Sequence, residues 1–166
     1  MHYLCRRNTT ILASFNTHNL TMRHQSCRRV TLNYSMNKKK IEIEHTLNST
    51  SRNIVWQLIG TAEGLNRWIA DDVKMNGKHI EFAWGDDWRH HETRQATLTF
   101  CERYERVRWQ WDDEDDESFV EIRMERSSLS GQYTLHVTDF VSTDDLEWLQ
   151  DTWSHNFERL RRTSGV

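Results

Sequence analysis

The segment Ser142–Arg162, STDDLEWLQDTWSHNFERLRR, decides how the rest of the chain is arranged. Leu146, Leu149, Trp153, Phe157 and Leu160 recur at spacings of three and four, which puts them in one stripe of an α-helix. Glu147, Gln150, Asp151, His155, Glu158 and Arg159 take the other faces. Ser142 or Thr143 stands where a helix cap is needed, and Asp144 and Asp145 complement the positive end of the helix dipole. Arg159, Arg161 and Arg162 fall at the negative end, with Gly165 just beyond it. Such a helix is about 30 Å long. Burying its five large apolar side chains is worth on the order of 10 kcal/mol. The stripe therefore demands an apolar partner surface, which the upstream strands supply.

Those strands are read from alternation. Ile41, Ile43, His45 and Leu47 alternate with Glu42, Glu44 and Thr46. The polar turn Asn48–Ser51 can cap a short helix carrying Ile54, Val55, Leu58 and Ile59, with Trp56 beside them. Gly60 stops that helix, and a second short piece from Thr61 reaches Leu65, Trp68 and Ile69. Met75-Asn76-Gly77-Lys78 is a hairpin turn. Ile80, Phe82 and Trp84 alternate after it, and Gly85-Asp86-Asp87 turns the chain again. Ala96, Leu98, Phe100 and Tyr104 share one parity of the next strand. Val107, Trp109 and Trp111 follow, then Val120, Ile122 and Met124, and last Tyr133, Leu135, Val137 and Val141. Short connections make sequential strands pair as hairpins, and a sheet of six or seven twisted strands curls. The expected architecture is α+β: a curved antiparallel sheet, two short helices after the first strand, and the sheet gripping the long C-terminal helix.

Composition narrows the function classes. At 166 residues, 36% hydrophobic and 28% charged, the chain supports one sizeable core. No apolar run approaches the length of a membrane span. Residues 1–40 hold eight basic residues and no acid, leaving 14 of the 22 basic residues against all 25 acidic ones, a net of −11. An acidic body repels phosphates, which argues against nucleic acid and anionic membranes as partners. Cys5, Cys27 and Cys101 are odd in number and far apart, which reads as free thiols in a reducing, cytoplasmic setting. Residues 1–38 lack hydrophobic periodicity and read as a disordered basic leader. The natural-looking start at Met36 suggests that the first 35 residues are an over-extended reading frame. The domain proper is residues 39–166.

The stretch Asn48–Ile69, NSTSRNIVWQLIGTAEGLNRWI, resembles the START-like superfamily, also called the SRPBCC or birch-pollen-allergen-like group. The resemblance lies in the polar turn, Val55-Trp56, Glu63-Gly64-Leu65 and Trp68, with Trp153 and Leu160 on the last helix fitting too. Within that group the chain looks most like homologues of the heat-shock ATPase activator C-terminal domain. It departs from the pattern in having no proline before the first helix, where Ser51 stands. The resemblance implies a helix-grip fold with a cavity between sheet and long helix. Members bind small apolar molecules, act on them, or serve as co-chaperones, and fold alone does not choose among these.

Chemistry-bearing motifs are sparse. His90 and His91 are adjacent and would point to opposite faces of a strand. Neither a zinc-binding spacing, a phosphate loop nor a nucleophile elbow occurs, so no metal or cofactor is expected. Asp112–Glu117 is a run of six acids, a cation patch or, on the preferred reading, a solvated hairpin loop that like-charge repulsion keeps out of the core. The eight tryptophans are either plain core or the lining of a pocket. Trp88 and Trp148 fall off the main stripes, as partly exposed contact residues. The pocket candidates are Trp56, Trp68, Trp84, Phe100, Trp109, Trp111, Leu149 and Trp153. His45, Glu102 and Asp139 are polar residues at inward-reading strand positions, where a buried group needs a partner or shifts its pKa. If the first and last strands pair, His45 and Asp139 can approach each other. The leading expectation is non-enzymatic binding of a small apolar ligand. The alternatives are a partner module for a chaperone-type protein, and an enzyme using one of the three inward polar residues. Oligomeric state is not readable from these features.

Overall fold

Alternating apolar and charged residues make Lys38–Thr46 the first strand, β1, and the structure, a computed structural model, describes residues 38–85 and 92–166. The leader with Met36, the Asp86-Asp87 turn, Trp88 and the His90-His91 pair lie outside the described residues. After β1 come α1 (Arg52–Gly60) and α2 (Ala62–Asn66), then β2 (Asp72–Asn76), β3 (His79–Trp84), β4 (Glu92–Glu102), β5 (Arg106–Trp111), β6 (Val120–Arg126) and β7 (Tyr133–Ser142). A single 3₁₀ turn, Thr143–Asp145, leads into α3 (Leu146–Ser164). The strands form one curved antiparallel sheet in the order β1-β7-β6-β5-β4-β3-β2. First and last strands pair along their whole length, from Lys38 opposite Ser142 to Thr46 opposite Thr134.

Local chemistry sets the boundaries. The Ser51 hydroxyl accepts from the Ile54 amide and caps α1. Thr61 ends one helix and starts the next: its hydroxyl donates to the Gln57 carbonyl at 2.7 Å and accepts from the Gly64 amide at 3.0 Å. Gly77 takes the left-handed conformation, φ 62°, that the β2–β3 hairpin requires. Gly165, φ 72°, closes α3 by donating its amide to the Arg161 carbonyl. The start of α3 differs from the sequence reading. Neither Ser142 nor Thr143 caps it. The Ser142 hydroxyl binds the Asp145 carboxylate at 2.7 Å instead, and the extra 3₁₀ turn moves the helix start to Leu146.

The core lies between one face of the sheet and the helices. Val107, Trp109, Ile122, Leu135 and Val137 meet Leu149, Trp153, Phe157 and Leu160 of α3 and Trp68 after α2. Leu146, the fifth residue of the expected stripe, is only half-buried. One strand breaks its expected parity. The β4–β5 register shifts between Leu98 and Phe100: Leu98 lies opposite buried Trp109, whereas Phe100 lies opposite Arg108. An extra residue in one strand turns every later side chain to the other face. Phe100 and Glu102 are consequently exposed on the face away from α3, and Arg106 packs over the Phe100 ring at 4.3 Å. Their expected inward placement is corrected by this bulge. Tyr104 belongs to the following turn, with φ 70°, and not to the strand.

Gly64, within the segment that carries the family resemblance, is required by close approach. A Cβ there would lie 1.8 Å from the Gln57 carbonyl oxygen and 2.7 Å from Leu58 Cα, both backbone atoms that cannot swing aside. Gly64→Ala is expected to destabilise the domain by about 1–3 kcal/mol or more, lowering the melting temperature by about 5–10 °C. A melting temperature within a degree of the parent would contradict this packing of α2 on α1.

Candidate functional site

The site is built where β1 begins, β7 ends and the β5–β6 loop turns. Asp139 sits on the buried face of β7, only 8% exposed. Its Oδ2 accepts from the Trp153 indole N–H of α3 at 2.9 Å, and its Oδ1 accepts from the Phe140 amide at 2.7 Å. Burial pushes its carboxyl up to about 6, against the lowering effect of those two donors, and the nearby charge of Glu114 adds to the rise. One turn further along α3, the Phe157 ring stacks on His45 of β1 at 4.3 Å. Burial, helped by the charge of Arg161, lowers the His45 pKa.

His45 and Asp139 do not meet. Their strands pair as expected, but the register sets Asp139 opposite Ile41 and His45 opposite Leu135. Four residues along a strand separate them by about 13 Å. Each instead holds its own aromatic residue of α3.

Beside Asp139 lies an aromatic wall. Phe82 is at its centre, 6.0 Å from Trp84, 5.5 Å from Trp109 and 5.0 Å from Trp111, ring centre to ring centre. Trp84 and Trp111 are half-buried, whereas Phe82 and Trp109 are fully enclosed. Buried indoles ordinarily find an acceptor. Trp84 donates to the Ile69 carbonyl at 2.8 Å and Trp68 to the Leu58 carbonyl at 3.0 Å. Among the described residues the Trp109 indole N–H has no hydrogen-bond partner, although its residue is 1% exposed.

Arg94 crosses this wall. It pairs with Phe82 in the β3–β4 register and shares its face, with its guanidinium 4.2 Å above the Trp111 ring. Asp113 and Glu114 bind it from the β5–β6 loop, the latter at 2.6 Å. Burial alone would lower its pKa, but these two carboxylates outweigh that and raise it. The second oxygen of Glu114 accepts from Lys38 Nζ at 3.0 Å, and Lys38 also reaches Asp115 and Ser118. Lys38 and Ser118 together hold the Asp115 carboxyl down at about 2. The acidic run is thus not simply solvated. Glu114 folds inward, its side chain 9% exposed, because one lysine and one arginine from distant strands neutralise it.

Of the expected pocket residues, Trp84, Trp109 and Trp111 come together on the wall, and Trp153 is tied to Asp139. Trp68 lies against Trp153 and Phe157, and Leu149 is buried on α3. Trp56 packs elsewhere, edge-on to Tyr104 and over Gly60. Phe100 and Glu102 face the other side, as described above. The sequence marks Glu114 only as one member of the acidic run and does not mark Arg94 or Lys38 as site residues, although an arginine opposite Phe82 in a hairpin register is a usable signal. Among the described residues no group of three His, Cys, Asp or Glu side chains is placed to hold a metal ion, and no helix is long and apolar enough to cross a membrane.

A curved sheet gripping one long helix defines the helix-grip class. The chain belongs to the START-like superfamily, whose domain matches residues 35–166. It is similar to BfR322 from Bacteroides fragilis, with 38% identity, 76% of this chain and 90% of that chain covered, and a TM-score of 0.53. More distant folds include the Aha1 dimer from Colwellia psychrerythraea, 15% identical with 76% and 96% covered at a TM-score of 0.58. The AHSA1-like protein from Aeromonas hydrophila is 16% identical, with 75% and 91% covered, also at 0.58. No curated protein matches the chain.

Asp139 makes a testable mark on stability. Its folded pKa, about 6, is raised above the ordinary 3.8, so between those values the folded chain binds more protons than the unfolded one. Its contribution is therefore greatest at low pH and is lost as pH rises through about 4 to 6, by on the order of 3 kcal/mol. Asp139→Asn removes this titration. The melting temperature of the parent relative to the variant should fall by about 5–10 °C between about pH 4 and pH 7. A difference that does not change with pH would contradict the buried ionisation.

Proposed function

We propose that this domain binds a small, mainly apolar molecule against the aromatic wall, without catalysis. The observation that carries the reading is the wall itself: Trp84 and Trp111 stay half-buried beside enclosed Phe82 and Trp109, and the Trp109 N–H has no acceptor among the described residues. Pockets that take small molecules combine flat apolar surface with a few polar groups that fix orientation. Arg94, Glu114 and Asp139 are the polar groups at hand. The helix-grip fold is compatible with this role. A second reading, as an interaction module for a chaperone-type partner, is favoured by Trp148, which is 48% exposed on α3 away from the buried stripe.

The test is a panel of aliphatic acids, sterols and flat aromatic compounds, followed by tryptophan fluorescence and thermal melting. A binder should change the emission and raise the melting temperature in step with its concentration. Trp111→Leu should weaken that binder by about fivefold, since one aromatic contact is worth on the order of 1 kcal/mol. A panel in which no compound changes either signal, or a binder indifferent to Trp111, would overturn the reading.

A further inference from the structure

The two edges of the sheet are β1 and β2. An edge strand presents backbone N–H and C=O groups along one side, ready to pair with another strand. β2 has only five residues, DVKMN. β1 has nine, KKKIEIEHT, with charge of both signs along it. On the face away from α3 its side chains read Lys38, Lys40, Glu42, Glu44: two bases, then two acids. Run antiparallel, the same strand reads two acids, then two bases.

Only a few registers let β1 pair with itself. The pairing must keep both apolar faces on one side of the joined sheet, so opposed residues share parity. With Ile41 opposite its own copy, Lys40 faces the partner's Glu42 and Lys38 faces the partner's Glu44, twice over by symmetry. Recentring on Lys40 sets lysine against lysine, and recentring on Glu42 sets glutamate against glutamate. Directly opposed unlike charges stabilise a strand pair and like charges destabilise it. Lysines on an edge commonly block pairing; here the matched acids make them select one register. Lys39 falls opposite the partner's Ile43, where its methylene stem covers apolar surface while the ammonium reaches water.

Within one copy Lys40 and Glu42 bond to each other on the open surface, with 51% and 69% of their side chains exposed. Lys38 is already held by Glu114 and Asp115. The Lys40–Glu42 pairs are therefore the ones that decide the association. We infer that β1 pairs with β1 of a second copy of this chain, antiparallel about Ile41, joining two seven-stranded sheets into one.

Sedimentation velocity of the full chain over about a hundredfold range of concentration tests this. The chain should dimerise. Lys40→Glu places two glutamates opposite each other on either side of the central Ile41 pair, and Glu42→Lys places two lysines there. Each should weaken the dimer by about tenfold or more, and the double variant Lys40→Glu/Glu42→Lys should recover it. Both positions are exposed, so folding is not at stake, and the double variant controls for either change alone. A monomer at every concentration, single reversals that associate like the parent, or a double variant that fails to recover would each overturn the inference.

Discussion

The hydrogen bond from the Trp153 indole to the Asp139 carboxylate is the constraint on which the arrangement depends. Hydrophobic burial drives α3 onto the sheet, but that force is non-directional and tolerates sliding. A buried carboxylate does not. Deprived of its donors it carries a large desolvation penalty, so the helix must keep Trp153 over β7. Phe157, one turn on, then falls on His45 of β1. Arg159 reaches the Ala70 carbonyl and Asp71 beyond α2. The helix is fixed in register at three points, Trp153, Phe157 and Arg159, within two successive turns.

With α3 held over β1 and β7, the other half of the sheet is left with half-buried aromatic residues. That is where Trp84, Trp111 and Arg94 lie. The acidic β5–β6 loop does not retreat into solvent as mutual repulsion alone would dictate. Lys38 and Arg94 each share Glu114, so the loop closes down on the aromatic wall at the point where Asp139 is buried. Charge on a mobile-looking stretch of sequence thereby becomes part of the site's geometry.

The fold was legible because its signals are local. Helical spacing from Leu149 to Leu160, the Asn76-Gly77 turn and the Gly60-Thr61 break each act over a few residues. The resemblance carried by Glu63-Gly64-Leu65 has a local cause as well, the contact of Gly64 with the Gln57 carbonyl. The site was legible only in part. Trp84, Trp109, Trp111, Trp153 and Asp139 could be placed inward by parity alone. Phe100 and Glu102 could not, because a bulge leaves no trace in alternation. Alternation foretells that the strands of His45 and Asp139 pair, but not the register that holds the two residues apart. The role of Arg94 is not legible locally, because its partners lie about twenty residues on, in a loop whose composition argues for solvent.

The most direct test is the Trp153 indole N–H resonance, followed by NMR in nitrogen-15-labelled protein. The account predicts an N–H that exchanges with solvent only as the domain unfolds, with a chemical shift that titrates at a midpoint near 6 as Asp139 ionises. An N–H that exchanges like a solvent-exposed indole, or a shift that stays flat through that range, would contradict it.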